Sequence, residues 1–208
     1  MLFLQTLWEG IVNGSIYAMI AMGIALVWGV MGILSFSQGE FMMLGMFITF
    51  YANTYVGLDP VVCVPIVGLL MFGFGCIVYR TIIAKALRGP RLSQRLITFA
   101  VGMVLTYGAL MLFGGQYRTV QSLAFTGSID LAGLTISRQK LVPLIIALVM
   151  VAFMYIFLNK TMIGKAIQAT SQDKQAAELV GIDSETTYMV AFGLSSALAG
   201  IAGCALTY

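Results

Sequence analysis

Histidine is missing from this sequence, and charge of either sign is scarce: 8 acidic and 11 basic residues among 208, or 9% of the chain. A soluble domain carries about 25% charged residues. So little polar surface cannot cover a water-soluble core, and with 60% hydrophobic residues the chain reads as an integral membrane protein. Without histidine, the commonest general base and metal ligand is gone. Only three cysteines occur, Cys63, Cys76 and Cys204, all in apolar stretches and with no CxxC pair. They read as buried small hydrophobes, so neither a metal site nor a disulfide framework is expected. There is no Gly-x-Ser-x-Gly elbow and no pair of carboxylates inside an apolar run, which counts against an intramembrane hydrolase. Met1 to Glu9 holds no basic residue and opens a run far longer than a signal core, so no cleavable signal peptide is expected. The net charge of +3 carries information on membrane orientation and none on nucleic acid, which is not an expected partner.

What is present is a series of long uncharged runs. A helix needs roughly 20 apolar residues to cross a bilayer. The run from Gly10 to Gly39 exceeds that, and only Glu40 separates it from Phe41 to Leu58, so the region needs two passes, or one pass and a broken second. The break is expected at Gly32 to Gly39, where two glycines and two serines weaken a helix and offer hydroxyls to unpaired backbone groups. Further spans are expected at Val61 to Tyr79, starting behind Asp59-Pro60, and at Leu96 to Tyr117, Leu141 to Asn159 and Thr186 to Tyr208. The last run reaches Tyr208 with no polar exit, so the chain is expected to be incomplete at its C-terminus.

Basic residues orient these spans. Arg80, Lys85, Arg88, Arg91 and Arg95 follow the Val61 span, and Lys160, Lys165 and Lys174 follow the Leu141 span, whereas the loop between holds only Arg118, Arg138 and Lys140. The richer side is cytoplasmic, and counting back puts the N-terminus outside. The outer loop contains two β-prone tetrads, Ser128 to Leu131 and Leu134 to Ser137, around Ala132-Gly133, which suits a small hairpin. It reads as a tie between two helices, with docking of a soluble partner as the other possibility.

Small residues at four-residue spacing mark two spans: Gly10, Gly14 and Ala18, and Ser195, Ala199 and Gly203 beside Ser196 and Gly200. Packing between helices of this chain is the expected use, a dimer contact the lesser one. Glu40, within Ser35-Phe-Ser-Gln-Gly-Glu40, is either an ionisable group at membrane depth or a helix start at the interface. If the break is mid-membrane, the following helix points its positive end at the bilayer centre, where a substrate carboxylate would suit it unless Glu40 caps it.

The one long polar stretch is Met162 to Asp183. Its helical spacing predicts two short helices separated near Ser171-Gln172, with Ser171 or Asp173 as cap of the second and Gly181 as terminator. Their apolar faces are mostly alanine, which suits a protein groove better than lipid.

Gly164-Lys-Ala-Ile-Gln-Ala169, then Asp173 with Ala176-Ala-Glu-Leu-Val-Gly-Ile182, then Ala197-Leu-Ala-Gly-Ile-Ala-Gly203 resemble the coupling region of permease subunits of branched-chain amino acid ABC importers. Asn13-Gly-Ser-Ile-Tyr-Ala18, Gly29-Val-Met-Gly-Ile33 and Phe36-Ser-Gln-Gly-Glu40 are similar to that family's first helix and broken second helix, although the family usually has Asn and His where Ser35 and Gln38 stand here. The resemblance implies an all-α, polytopic transmembrane helical bundle with a discontinuous second helix. It implies a single permease domain over 1–208 with a cytoplasmic coupling segment at 160–185, in a bacterial or archaeal cytoplasmic membrane. Such a subunit has no catalysis and no cofactor of its own. Its implied partners are cytoplasmic ATP-binding subunits, a second related permease subunit, an extracytoplasmic substrate-binding protein and membrane lipid. By the same resemblance Ser35, Ser37, Gln38, Gly39 and Glu40 lie near the translocation path. Ala169, Asp173, Ala176, Ala177, Leu179, Gly181 and Ile182 are implied to engage the ATPase. Related permeases for urea and short amides share these motifs and stand as the alternative substrate class. An ion-coupled transporter or channel using Glu40 is the alternative mechanism.

Overall fold

The computed structural model of the chain describes residues 2–87, 89–116, 128–131, 134–137 and 140–207. Helix α1 (Leu2–Met31) spans 30 residues, about 45 Å at 1.5 Å per residue and so ample for a membrane crossing. It stops at Gly32, whose φ of 66° suits glycine. After a non-helical stretch over 33–37 the chain enters α2 (Gln38–Tyr51), which ends in a π-helical turn at Ala52–Val56. Helix α3 (Pro60–Val78) starts behind the extended Asp59, as expected from Asp-Pro, and continues through a π-helical turn at Tyr79–Ile83 into α4 (Ala84–Ala86). Then come α5 (Arg91–Phe113), strands β1 (Ser128–Leu131) and β2 (Leu134–Ser137), α6 (Leu141–Lys160), α7 (Met162–Gln172), α8 (Lys174–Leu179) and α9 (Ser184–Leu206).

Five of these helices are long and apolar enough to cross a membrane among the described residues. At 14 residues α2 is too short to do so alone. The protein is therefore an all-α polytopic bundle whose second pass is made by a non-helical stretch plus a short helix. The expected hairpin forms, antiparallel, with Ile129 opposite Ile136. The span expected at Leu96 to Tyr117 instead begins at Arg91 and ends at Phe113, where Gly114 with its φ of 75° turns the chain. Tyr117, Arg88, Arg118 and Arg138 lie outside the described residues.

The centre of the bundle is α9. Of its most apolar stretch 78% is buried, against 22% to 33% in the other four spans. It packs against α1, α2, α3 and α6. Lipid supplies no hydrophobic drive between helices, so contact depends on how closely backbones approach. Here they come very close: a Cβ on Gly45 would lie 2.3 Å from the Gly200 carbonyl oxygen, and one on Gly203 would lie 2.1 Å from that of Met42. Phe41 of α2 fills the remaining space edge-on to Phe74 and Phe192, with centroids 6.1 and 5.8 Å away. Ser196 Oγ donates to the Met71 carbonyl at 2.8 Å and so ties α9 to α3. Cys63 and Cys204 are buried and Cys76 half-buried, all three free.

The small residues of α9 thus do pack within the chain, but those of α1 do not. Gly10 and Gly14 have open space where a Cβ would stand, and Ala18 is exposed. The expectation of internal packing fails there because the inward face of α1 is set by Val12, Ile16, Met19, Gly23 and Val27, at helical spacings of three or four. Gly10, Gly14 and Ala18 fall on the opposite side.

Lys140 pairs with Glu9, so the first turns of α1 and α6 share one end of the bundle. That end is opposite Lys160 and α7, the side rich in basic residues.

Candidate functional site

Two regions stand out, one inside the bundle at the break before α2 and one at the end that carries α7 and α8.

Both neighbours of the break place it at mid-depth. Gln38, the first residue of α2, reaches Ser195, the middle residue of α9, with Nε2 donating to Oγ at 2.6 Å. Glu40 lies against Gly102, the middle residue of α5: a Cβ there would come within 3.1 to 3.2 Å of the carboxyl atoms. Glu40 therefore stands near the middle of two spanning helices, not at the interface, and α2 starts there and runs outward. Its Oε2 is buried without a hydrogen-bond partner among the described residues.

The residues expected along the path do not share one direction. Ser35, Ser37 and Gln38 are buried, 4%, 0% and 3% exposed, and the two serine hydroxyls sit 3.3 Å apart. Gly39 is exposed and Glu40 half-buried on the side facing α5. Ser37 precedes α2 yet makes no side-chain cap, so the first-turn N–H groups of α2 are not answered by it. Thr98, fully buried on α5, donates to the Arg95 carbonyl at 2.8 Å and stands 3.4 Å from the Leu34 carbonyl, holding the non-helical stretch against α5. Ser195, Gly23, Thr98 and Gly102 complete this region. The spacing of small residues marked Ser195 as a packing position only, and nothing in the sequence singled out the other three.

At the end of the bundle opposite Glu9 and Lys140, α7 and α8 are two short helices as expected. Thr161 caps α7, accepting the Gly164 N–H at 2.9 Å. Gly164 is forced by proximity, since a Cβ would sit 2.2 Å from the Phe157 carbonyl oxygen. Asp173, and not Ser171, caps α8: its Oδ1 accepts from the N–H groups of Gln175 and Ala176 at 2.9 and 3.1 Å. Gly181, at φ 87°, closes α8 with the paired bonds of a Schellman turn, Ile182 N–H to Ala177 O and Gly181 N–H to Glu178 O at 3.0 and 3.1 Å. Asp183 then caps α9, accepting from the Glu185 N–H at 3.0 Å and from the Thr186 hydroxyl. Those bonds favour the ionised form, the hydroxyl first, and hold the Asp183 carboxyl below its ordinary value.

Of the residues expected to meet an ATPase, Asp173, Ala176, Leu179 and Gly181 are exposed, Leu179 to 88%. Ala169 and Ile182 are half-buried, and Ala177 faces inward at 3%. Val180, exposed to 77%, belongs to the same tip. Beside it a cavity of about 540 Å³ opens between Tyr79 and Leu87 on one side and Lys174, Glu178, Asp183 and Glu185 on the other. Lys174 stands 5.5 Å from the Tyr188 ring and 3.7 Å from Glu178, bracing α8 on α9.

Replacing Asp173 by alanine is expected to destabilise α8 by about 1 kcal/mol, the usual worth of such a cap. Faster proteolysis between Gln172 and Gly181, with the membrane spans intact, is the readout. For Asp183 the sign is fixed by its lowered value. Its contribution is present above the ordinary carboxylate range and is lost as pH falls through the folded-state value. The start of α9 is expected to fray in acid, and Asp183→Asn to remove that pH dependence of amide exchange there.

The bundle thus carries a helix that starts at mid-depth and, at one end, a pair of short capped helices. Residues 6–208 match the family described as the permease component of branched-chain amino acid transport systems, and the chain belongs to that family. It is therefore a multi-pass inner-membrane protein of the ABC importers, whose assemblies include ATP-binding components. It is 29% identical to the high-affinity branched-chain amino acid transport system permease protein BraD of Pseudomonas aeruginosa, over 98% of this chain and 70% of that one. It is 30% identical to the corresponding LivH of Escherichia coli K12 over the same shares. It is also 23% identical to a probable LivH of Methanocaldococcus jannaschii, over 95% of this chain and 64% of that one. No solved structure matches.

Proposed function

We propose that this chain is the permease subunit through which an ABC importer passes branched-chain or other apolar amino acids. Residues 1–208 act as one transmembrane domain, with 160–185 as its coupling segment. The observation that carries the reading is the mid-depth start of α2. There the positive end of a helix and the Glu40 carboxylate lie side by side in the middle of the bundle. A zwitterion needs those two charges, one for its carboxylate and one for its ammonium group. Ser35, Ser37 and Gln38 hold this arrangement from within, and Gly39 and Glu40 present it.

Ala176, Leu179 and Val180 form the tip that enters a groove of the ATP-binding subunit, set by Asp173 and Gly181, with Ala169, Ala177 and Ile182 seating it on the bundle. ATP is hydrolysed on those partner subunits, and this chain contributes no catalytic group. A second permease subunit completes the path, and an extracytoplasmic binding protein delivers the substrate.

The test is reconstitution into liposomes with the ATP-binding subunits and binding protein encoded beside it. Leucine uptake is expected only with ATP. Uptake that ignores ATP but follows membrane potential would replace this reading with an ion-coupled transporter using Glu40. Urea competing where leucine does not would move it to the short-amide permeases. Within the proposed reading, Glu40→Gln is expected to raise the leucine concentration needed for half-maximal uptake by tenfold or more. That corresponds to a charge-assisted hydrogen bond of about 1.5 to 3 kcal/mol.

A further inference from the structure

We propose that Ser195 is a positioning residue that links the coupling segment to the mid-membrane break. This rests on the reading that α7 and α8 engage the ATPase.

Between the end of α8 and the start of α9 lie only Val180 to Asp183, and that stretch is fixed at both ends, by the Gly181 turn and the Asp183 cap. A displacement of α8 therefore passes into α9 with little slack. Helix α9 is continuous for 23 residues and buried along most of its length, so the displacement reaches its middle. The residue there is Ser195, 0% exposed.

Its hydroxyl uses both of its hydrogen-bonding roles on other elements. It donates to the Gly23 carbonyl of α1 at 2.7 Å and accepts from Gln38 Nε2 of α2 at 2.6 Å. Gly23 belongs to this arrangement, since a Cβ on it would lie 3.1 Å from both oxygens of Ser195. Gln38 is 3% exposed and its Oε1 has no partner, so among the described residues Ser195 is the only anchor its side chain has. Two residues beyond Gln38 stands Glu40. One hydroxyl thus joins the helix that leaves the coupling segment to the residue that opens α2, and a shift of α9 relative to α1 must either carry Gln38 with it or break that bond.

The expected consequence of Ser195→Ala is loss of coupling rather than loss of ATPase activity. The assembled transporter in liposomes is expected to hydrolyse ATP within about twofold of the unaltered rate. It is expected to take up about tenfold less leucine per ATP, the fold-change that about 1.4 kcal/mol of hydrogen bonding corresponds to. Gly23→Ala, which crowds the same hydroxyl from α1, is expected to lower that ratio too. Combining Gln38→Ala with Ser195→Ala should lower it no further than Ser195→Ala does, since both remove one shared bond. Unchanged uptake per ATP in Ser195→Ala, uptake and hydrolysis falling in parallel, or losses that multiply in the double variant would each overturn the proposal. If Ser195→Ala fails to accumulate in the membrane, Gln38→Ala and Gly23→Ala carry the same comparison, and normal ratios in both overturn it. A preparation of the unaltered protein that accumulates no leucine on ATP hydrolysis defeats the underlying reading instead.

Discussion

Replacing Gly203 by valine is expected to leave almost no folded protein in the membrane. A Cβ at this position would stand 2.1 Å from the Met42 carbonyl oxygen and 3.2 Å from the Met46 nitrogen, both backbone atoms of α2. A flexible side chain at the contact would have yielded, but two helix backbones cannot part without opening the seam that also holds Gly45 against Gly200 and Phe41 against Phe192. Overpacking a core commonly costs about 1 to 3 kcal/mol, and this site lies at or above the top of that range because nothing nearby can rotate away. The yield of monodisperse protein after mild detergent extraction, followed by its thermal unfolding, reads the effect. Gly14→Val is the matched control. It lies on the outward face of α1 with open space around it, and its cost is expected within about 0.5 kcal/mol.

Gly181→Val is expected to abolish co-purification with the ATP-binding subunits while the bundle itself stays folded. At φ 87° an L side chain is strained, by about 1 to 2 kcal/mol, and a β-branched one more so. The chain would relieve that strain by leaving the left-handed region, which breaks the bonds that close α8 and swings Leu179 and Val180 to a new direction. Each 1.4 kcal/mol of lost docking energy reduces association about tenfold. Asparagine tolerates this conformation better, so Gly181→Asn is expected to keep a measurable part of the association. Normal association of Gly181→Val would mean that the α8 tip is not what the partner holds. A melting temperature that falls as far as in Gly203→Val would mean the turn supports the whole bundle.

Much of this architecture could be read from composition and punctuation. Asp59-Pro60 starts α3 where expected, and Gly181 and Asp173 take the roles their chemistry favours, because caps and left-handed turns depend on a few adjacent atoms. The two β-prone tetrads, Ser128–Leu131 and Leu134–Ser137, likewise pair as the expected hairpin. What the sequence could not convey was direction across the bundle. Gly10, Gly14 and Ala18 have the same spacing as Ser195, Ala199 and Gly203, yet one set faces away and the other is fully enclosed by neighbouring helices. Spacing defines a face, and only the neighbours decide which way it points. The same holds for the candidate site. Glu40 could be noticed as an isolated charge, but its depth depends on Gly102, a residue with no side chain to attract notice. Ser195 looked like one more small residue until Gln38 and Gly23 came within reach of its hydroxyl.

The position of α9 also bears on how the protein is made. Helices α1, α2 and α3 leave the ribosome long before Ser184 does, and each holds at least one glycine, Gly23, Gly45, Gly68 or Gly75, whose close neighbour on α9 is not yet synthesised. Until α9 is inserted, these early spans have no shared centre to pack around, and the Met42, Gly45 and Met71 surfaces stay open to lipid or to quality-control machinery. The last of the described helices to be translated is thus the keystone of the bundle, and maturation of the membrane domain awaits its arrival.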